Sequence, residues 1–369
     1  MESISISPRA LTGAAVVALA AILSAPSLAA EASRHTIAGN HVAIYNLVGA
    51  VEIVRGTGSS VVAEVTLKGP DAARLRIAEG EISGRGTLRV IYPEDRVVVR
   101  EFGTHTTSTI RVNEDGTFRD SKKGGRKVVL SGPGGPGGPG GRGESGEGIE
   151  ASADIRITVP AGKRLDVNWG HGRASATGVE AELTIDVAGC PVDVTGQKGT
   201  LVVDVGSGEV RVSKSSASVD IDTGSGDIDL VEVRGKTVHV DTGSGAVTAR
   251  DIHADLLAID TGSGSIDVTS SSAPVVALDT GSGEVTVALT GELSTLEVDS
   301  GSGDVTVTLP RSVGARLSVE TGSGGIESDL AIETRVRSRH ELVGRIGDGT
   351  GQIAIETGSG TVTLRQARP

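Results

Sequence analysis

Between Leu201 and Leu309, apolar and polar residues alternate in short runs that return every 18 to 20 residues. Each run contains a five-residue phrase such as Asp222 to Gly226, and its first residue is called the mark. Apolar residues stand three and one positions before the mark and six and eight after it; around Asp222 these are Val219, Ile221, Ile228 and Leu230. Spacing by two is strand alternation. Each repeat therefore predicts a strand, a tight Gly-Ser-Gly corner, a second strand and a looser corner.

The mark recurs along more than half of the chain. Its ten occurrences are Asn168, Asp186, Asp204, Asp222, Asp241, Asp260, Asp279, Asp299, Glu320 and Glu356. A two-strand unit cannot bury its apolar face alone, whereas stacked units bury a continuous one. The sequence predicts an all-β fold: a β-solenoid (β-helix-like) of about ten 18–21-residue rungs, about 4.8 Å apart, with a less regular β-rich N-terminal part.

The pattern divides the chain into five segments. They are a signal peptide at 1–30, an irregular β-rich N-terminal region at 35–131, a Gly/Pro-rich flexible loop at 132–148, the regular solenoid rungs at 151–326, and a C-terminal excursion, cap and last rung at 327–369. The apolar run Leu11 to Leu23, followed by small residues before position 31, is typical of a secretory signal. No later apolar stretch is long enough for a membrane-spanning helix, so we expect no stable transmembrane segment after signal cleavage.

Several stretches resemble a known family. They are Tyr45 to Val51, Thr158 to Gly162, the Asp-Thr-Gly-Ser-Gly series, Gly347 to Gly351 and Glu356 to Gly360. Together they resemble a bacterial adhesin family with β-strand repeats, classed as a domain of unknown function. The resemblance implies a β-solenoid exported to the cell envelope or beyond, and it supplies no catalytic residues to carry over.

The acidic marks are the most distinctive candidates for a chemical role in the sequence. The eight residues concerned are Asp204, Asp222, Asp241, Asp260, Asp279, Asp299, Glu320 and Glu356. Carboxylates stacked about 4.8 Å apart repel one another by about 1 kcal/mol even in water, which makes calcium binding an alternative to consider. The calcium-binding solenoid phrase, however, places Asp after its glycines. Here the acid precedes them, so we expect its side chain to accept hydrogen bonds from N–H groups of the turn.

Composition and spacing weigh against other classes of function. The net charge is −12 and the basic residues are scattered, which is not the footprint of a nucleic-acid-binding protein. A periplasmic β-helix enzyme acting on polysaccharide is the enzymatic alternative, but catalysis needs one locally distinct pair of carboxylates. Identical acids in every rung do not provide one, and the seven histidines show no metal-ligand spacing. We therefore predict no catalytic residues, no cofactor-binding residues and no metal ligands.

Three further features depart from the repeat. Trp169 and His171 fall in a degenerate corner, where we expect them to decorate an end rung. Cys190 replaces the second glycine of a corner; as the lone cysteine it is either a free thiol or a site of pairing between molecules. The basic residues between Arg335 and Arg345 fit a solvated cap face, with docking of an acidic partner as the alternative.

The function predicted from the sequence is an exported, non-enzymatic β-solenoid: an adhesin or an envelope-associated binding or scaffold module. Its partner is an unidentified macromolecule at the cell surface or in the envelope. The location predicted is the periplasm or the cell exterior. The alternatives are the polysaccharide-acting enzyme and a calcium-binding solenoid.

Overall fold

The computed structural model describes residues 32–99, 107–118, 125–132 and 148–368, which are almost entirely β. The predicted signal peptide at 1–30 and all but the ends of the Gly/Pro-rich loop at 132–148 lie outside the described residues. Residues Ala32–Pro369 form one compact unit. Besides a short 3-10 helix at Ala72–Arg74, the elements are β1 (Ser33–Ile37), β2 (His41–Gly56), β3 (Val61–Lys68), β4 (Arg76–Ile82), β5 (Arg85–Ile91), β6 (Arg96–Val98), β7 (Thr107–Val112), β8 (Arg126–Ser131), β9 (Ser152–Pro160), β10 (Arg164–Thr177), β11 (Glu180–Gly189), β12 (Val192–Thr195), β13 (Lys198–Val205), β14 (Val210–Thr223), β15 (Ile228–Arg234), β16 (Thr237–Thr242), β17 (Val247–His253), β18 (Leu256–Thr261), β19 (Ile266–Ser271), β20 (Val275–Thr280), β21 (Val285–Leu289), β22 (Thr295–Ser300), β23 (Val305–Leu309), β24 (Ala315–Thr321), β25 (Ile326–Ser328), β26 (Glu333–Arg337), β27 (Glu341–Ile346), β28 (Gly351–Thr357) and β29 (Val362–Gln366).

The regular rungs stack into two parallel sheets, which confirms the β-solenoid. Strands before the Gly-Ser-Gly corners form sheet 1, and strands after the corners form sheet 2. In sheet 1 the marks pair in register, Asp222 with Asp241, Asp241 with Asp260 and Asp260 with Asp279. This parallel register places each apolar residue directly beneath the equivalent apolar residue of the next rung. One narrow core therefore runs between the sheets.

That core consists of the predicted apolar offsets. Ile221, Val240, Ile259 and Leu278 occupy one sheet 1 row and are at most 2% exposed. Branched aliphatic side chains suit this spacing because each row stacks side chains of similar shape directly on one another.

The looser corner is built by a left-handed residue ten positions after the mark. In four successive rungs this residue is Lys214, Glu232, Asp251 and Ser270, with φ between 51° and 57°. Because a non-glycine residue is costly in this region, the bend is held by the packing of the rungs and not by local preference. Nothing in the sequence pattern indicates it.

The N-terminal end extends the stack beyond β10. The outline of a degenerate rung at Val42 to Ile53 corresponds to β2, which pairs in parallel register with β10. Sheet 1 continues from β2 through β5 to β4, and sheet 2 continues from β2 through β9 and β3 to β1. A separate sheet of β6, β8 and β7 covers the outer side of these rungs, where Phe118 meets Tyr45 edge-on at 5.7 Å.

The C-terminal rungs do not stack in chain order. Strand β28 pairs on one side with β22 and on the other with β24, so the last rung in sequence lies between the two rungs that precede it. Strand β29 likewise bridges β23 and β25. The excursion forms the hairpin β26–β27, which adds antiparallel to the far side of β24. Sheet 1 therefore ends in β24, β27 and β26.

Candidate functional site: the acidic face

The outer side of sheet 1 carries an unbroken row of acids, here called the acidic face. In spatial order its members are Asp186, Asp204, Asp222, Asp241, Asp260, Asp279, Asp299, Glu356 and Glu320. The order differs from the sequence because β28 is inserted, which places Glu356 between Asp299 and Glu320. All except Asp186 are exposed. The face is bounded by the small sheet over Tyr45 at one end and by the β26–β27 hairpin at the other.

A shallow trough runs beside the middle of the acidic face. It encloses about 540 Å³, and its floor includes Ala258, Ala277 and Ala354, which stand two positions before their marks. Larger side chains occupy the equivalent positions at His239, at one end of the trough, and at Glu297, which lies between Ala277 and Ala354. The alanines leave room on both sides of Glu297 beside the row of carboxylates, a shape that suits an extended cationic chain or side chain.

Stacking the acids alters their titration. Partial burial and the charges of Asp204 and Asp241 in the adjacent rungs raise the pKa of Asp222 above its ordinary value. Partial burial and the charges of Asp260 and Asp299 do the same to the pKa of Asp279. The parallel register places like charges side by side, so the acidic face costs stability at neutral pH.

We expect this cost to appear as a pH dependence of stability. Because the folded pKa values of Asp222 and Asp279 are raised, the folded state binds protons more tightly than the unfolded state. Their contribution therefore becomes less unfavourable as pH falls from above the folded pKa towards the ordinary Asp value. The double variant Asp222→Asn/Asp279→Asn should melt above the wild type at pH 7, and the difference should shrink towards pH 4. A difference that stays constant across that range in thermal melts would contradict the repulsion.

From Asp222 onward the acidic marks do not make the corners, contrary to the sequence-based expectation. The N–H groups of a corner donate to carbonyl groups of the adjacent rungs, as Gly224 N does to Val205 O at 3.0 Å and Gly226 N to Ser244 O at 3.0 Å. From Asp222 onward, the mark side chains point outward to solvent and accept none of these bonds. The corner is satisfied between rungs, so its acid has no structural duty in the turn.

In the five rungs whose marks are Asp260, Asp279, Asp299, Glu356 and Glu320, the residue after the mark has a structural role instead. Thr261, Thr280, Ser300, Thr357 and Thr321 point inward and are buried. Their hydroxyls donate to the carbonyl of the second corner glycine in the adjacent rung, for example Thr280 to Gly264 at 3.0 Å and Thr357 to Gly303 at 3.1 Å. This ladder of hydrogen bonds links one rung to the next inside the core. The sequence could have indicated it only if the alternation of inward and outward residues had been continued past the mark.

Close approach of backbones, more than positive φ, explains the corner glycines. A Cβ on Gly262 would lie 2.7 Å from the carbonyl oxygen of Gly243, although the φ angle of Gly262 is not in the left-handed region. At Gly245, a second corner glycine, the φ angle is positive at 151°. A Cβ added there would lie 2.1 Å from the carbonyl oxygen of Gly226. Positive φ is therefore only part of the reason for these glycines, and it does not apply to Gly262.

Trp169 and His171 do not decorate an end rung. Both are buried in β10, which has further strands on each side. The Trp169 Nε1 donates to the carbonyl oxygen of Gly49 at 2.7 Å, and burial lowers the pKa of His171. They belong to the packed interior of the rungs.

Cys190 is also interior. Its side chain is 3% exposed and forms no disulfide. A sulfur enclosed in this way is not placed for pairing between molecules, which removes that alternative for the folded chain.

The basic residues near the C-terminus lie on the end hairpin. All five residues of β26, including Arg335 and Arg337, are exposed, and Arg345 on β27 pairs with Glu333 at 2.6 Å. His340 borders the end of the acidic face, in a pocket that it lines together with Glu320 and Glu356. Arg335 and Arg345 line a separate pocket.

No metal centre is formed by the described residues, among which no group of three or more His, Cys, Asp or Glu side chains is arranged to hold an ion. They also contain no helix with the length and apolarity needed to cross a bilayer.

We expect the acids to be dispensable for folding. Substituting Asn at Asp241, Asp260 and Asp279 removes repulsion without removing any corner hydrogen bond. The triple variant should be at least as stable as the wild type in chelator at pH 7, and millimolar calcium should shift either protein no more than generic screening does. A calcium-dependent rise in melting temperature of about ten degrees that vanishes in the triple variant would instead support a calcium site.

Comparison with known proteins supports the fold. The family model described as Toastrack DUF4097 matches residues 97–365, nearly three-quarters of the chain. No curated protein matches the sequence. A solved structure, the "putative cell adhesion protein" from Clostridium sporogenes ATCC 15579, aligns with 91% of this chain and 100% of its own at 10% identity. Its TM-score is 0.19, too low to carry an argument.

Proposed function

The chain belongs to the Toastrack DUF4097 family, a family of unknown function, and from that premise we propose that it is an exported, non-enzymatic binding or scaffold module. Its partner is a macromolecule of the cell envelope or cell surface, bound through the acidic face. The observation that carries this proposal is the in-register row from Asp222 to Glu320, which is exposed, electrostatically costly and without a structural duty in the corners.

The form of the row supports binding more than catalysis. A catalytic pair needs two carboxylates with distinct environments and separated pKa values. Here successive rungs repeat a carboxylate, Asp or Glu, at the same position, and the trough beside it is open. A repeated charge suits a repeated or extended ligand, since each rung adds one similar contact.

Export and binding are tested together in the cells that produce the chain. Fractionation with an antibody should place the protein outside the cytoplasm, with its mass shortened at the N-terminus. Purified protein should bind envelope preparations, and the Asp241→Asn, Asp260→Asn, Asp279→Asn triple variant should bind at least about tenfold more weakly, a loss of about 1.4 kcal/mol. Higher salt should also weaken the binding of the wild type to envelope preparations, because it screens the carboxylates.

A matched control lies on the other sheet. Thr286, Thr306 and Thr363 point outward from sheet 2 in adjacent rungs, and substituting all three with Ala should leave envelope binding unchanged. A glycan array followed by product analysis distinguishes the enzymatic alternative. Equal binding by both triple variants would refute the acidic face as the contact surface, and release of shortened saccharides would refute the non-enzymatic assignment.

A further inference from the structure

Sheet 1 ends in an open strand at each extremity. Among the described residues, β4 pairs with β5 alone at one end, and β26 pairs with β27 alone at the other. An unpaired strand edge presents main-chain donors and acceptors and is a template for adding another strand. The two edges belong to the same sheet.

The two open strands carry opposite charge. Strand β4 presents exposed Glu79 and Glu81, and strand β26 presents exposed Arg335 and Arg337. Between the two arginines lies Val336, 37% exposed, the one large hydrophobic side chain that is exposed among the described residues. An exposed apolar residue flanked by charges on an open edge is typical of an interaction surface.

Because neighbouring strands of sheet 1 pair in register at these positions, complementary residues at the two ends of the sheet occupy the same row. The buried row of Val319 and Val167 continues at one end through Leu342 to Arg337. At the other end it continues through Ile44 and Leu88 to Glu79. The row formed by the residues that precede Val319 and Ile44 in their strands lies next to this one. It ends in Val336 at one end of the sheet and in Gly80 at the other.

A second copy added along the stack would therefore meet a matching edge. Strand β26 runs parallel to the rungs and β4 runs antiparallel to them, so the two would pair as antiparallel neighbours. Arg337 would stand opposite Glu79, and Val336 would stand over Gly80, which has no side chain to obstruct it. Glu79 also accepts a hydrogen bond from His35 at 2.6 Å, yet its side chain remains 47% exposed.

We propose that copies of this chain associate head to tail, with β26 of one copy pairing antiparallel with β4 of the next. The contact uses two different surfaces, so each added copy leaves a free edge at both ends of the assembly and the series stays open. This association is independent of the envelope partner proposed above. It would turn single acidic faces into a longer, multivalent one.

Charge reversal at the two ends tests the pairing in purified protein. The variants are Arg337→Glu and Glu79→Arg, measured by sedimentation velocity over a concentration series. Wild type should form species of two, three and more chains as concentration rises. Each single variant should need at least about tenfold higher concentration, because like charges face each other. An equimolar mixture of the two variants should restore association, since the carboxylate introduced in one variant then meets the guanidinium introduced in the other.

The mixture also guards against misfolding, because variants that assemble together must both be folded. Arg365→Glu, an exposed arginine inside the stack on β29, is the matched control and should associate like wild type. Wild type that stays monomeric at every concentration would overturn the proposal, as would a mixture that stays monomeric or single variants that associate like the control. Since no envelope is present, failure here leaves the proposed envelope binding untouched.

Discussion

Replacing Gly283 with Ala should destabilise the protein by about 3 kcal/mol, the upper end of the cost of overpacking. The added Cβ would lie 1.9 Å from the carbonyl oxygen of Gly264 in the adjacent rung. The obstacle is backbone, so no side chain can rotate away, and the rungs would have to separate locally. Chemical denaturation followed by circular dichroism measures the change as a lower midpoint at unchanged slope.

Gly325 provides the matched control for this substitution. Its φ is not in the left-handed region, and a Cβ there would meet nothing within 4 Å. Gly325→Ala should therefore leave the midpoint nearly unchanged. Equal midpoints for the two variants would show that the corners tolerate a side chain, contrary to the close approach of backbones.

Replacing Ile355 with Ala should cost about 2–5 kcal/mol, the usual range for a buried Ile. Ile355 is fully buried and lies between Val298 of β22 and Val319 of β24. The cavity should raise hydrogen exchange on both sides of it, in residues 295–300 and 315–321. This two-sided effect follows from the insertion of the last rung between earlier ones.

Ile346→Ala separates that arrangement from stacking in chain order. Ile346 lies on β27, beyond β24, so its loss should raise exchange in β24 and leave β22 unchanged. If the last rung were the outermost, Ile355→Ala would leave β22 unchanged as well. Protection of residues 295–300 that is equal in the two variants would contradict the inserted rung.

Much of the solenoid follows from local sequence. Offsets such as those of Ile221, Val240 and Ile259 repeat with nearly constant spacing, and only in-register stacking buries all of them at once. The strands, the tight corners and the row of outward acids could therefore be predicted from one sequence. The location of the acidic marks on one exposed face follows from the same alternation.

Some features cannot be predicted because their local signal is ambiguous. Thr280 and its equivalents resemble polar turn residues, although they continue the alternation inward and donate to a neighbouring rung. The sequence pattern assigns that hydrogen-bonding role to the acids instead. Similarly, Trp169 resembles surface decoration, since nothing in its corner indicates that β2 and β11 lie on either side of it and bury it.

The repeating unit is specified by the sequence alone: its strands, its corners, its inward rows and the charge on its outer side. The order of the rungs and the form of the two ends depend on tertiary structure. A strand of the stack can pair in register with any strand that has apolar residues at the same positions relative to the mark. Strand β28 therefore fits beside β24 as well as beside β22. Which rung lies where depends on chain connections and on the hairpin that closes the stack, and these act between residues distant in sequence.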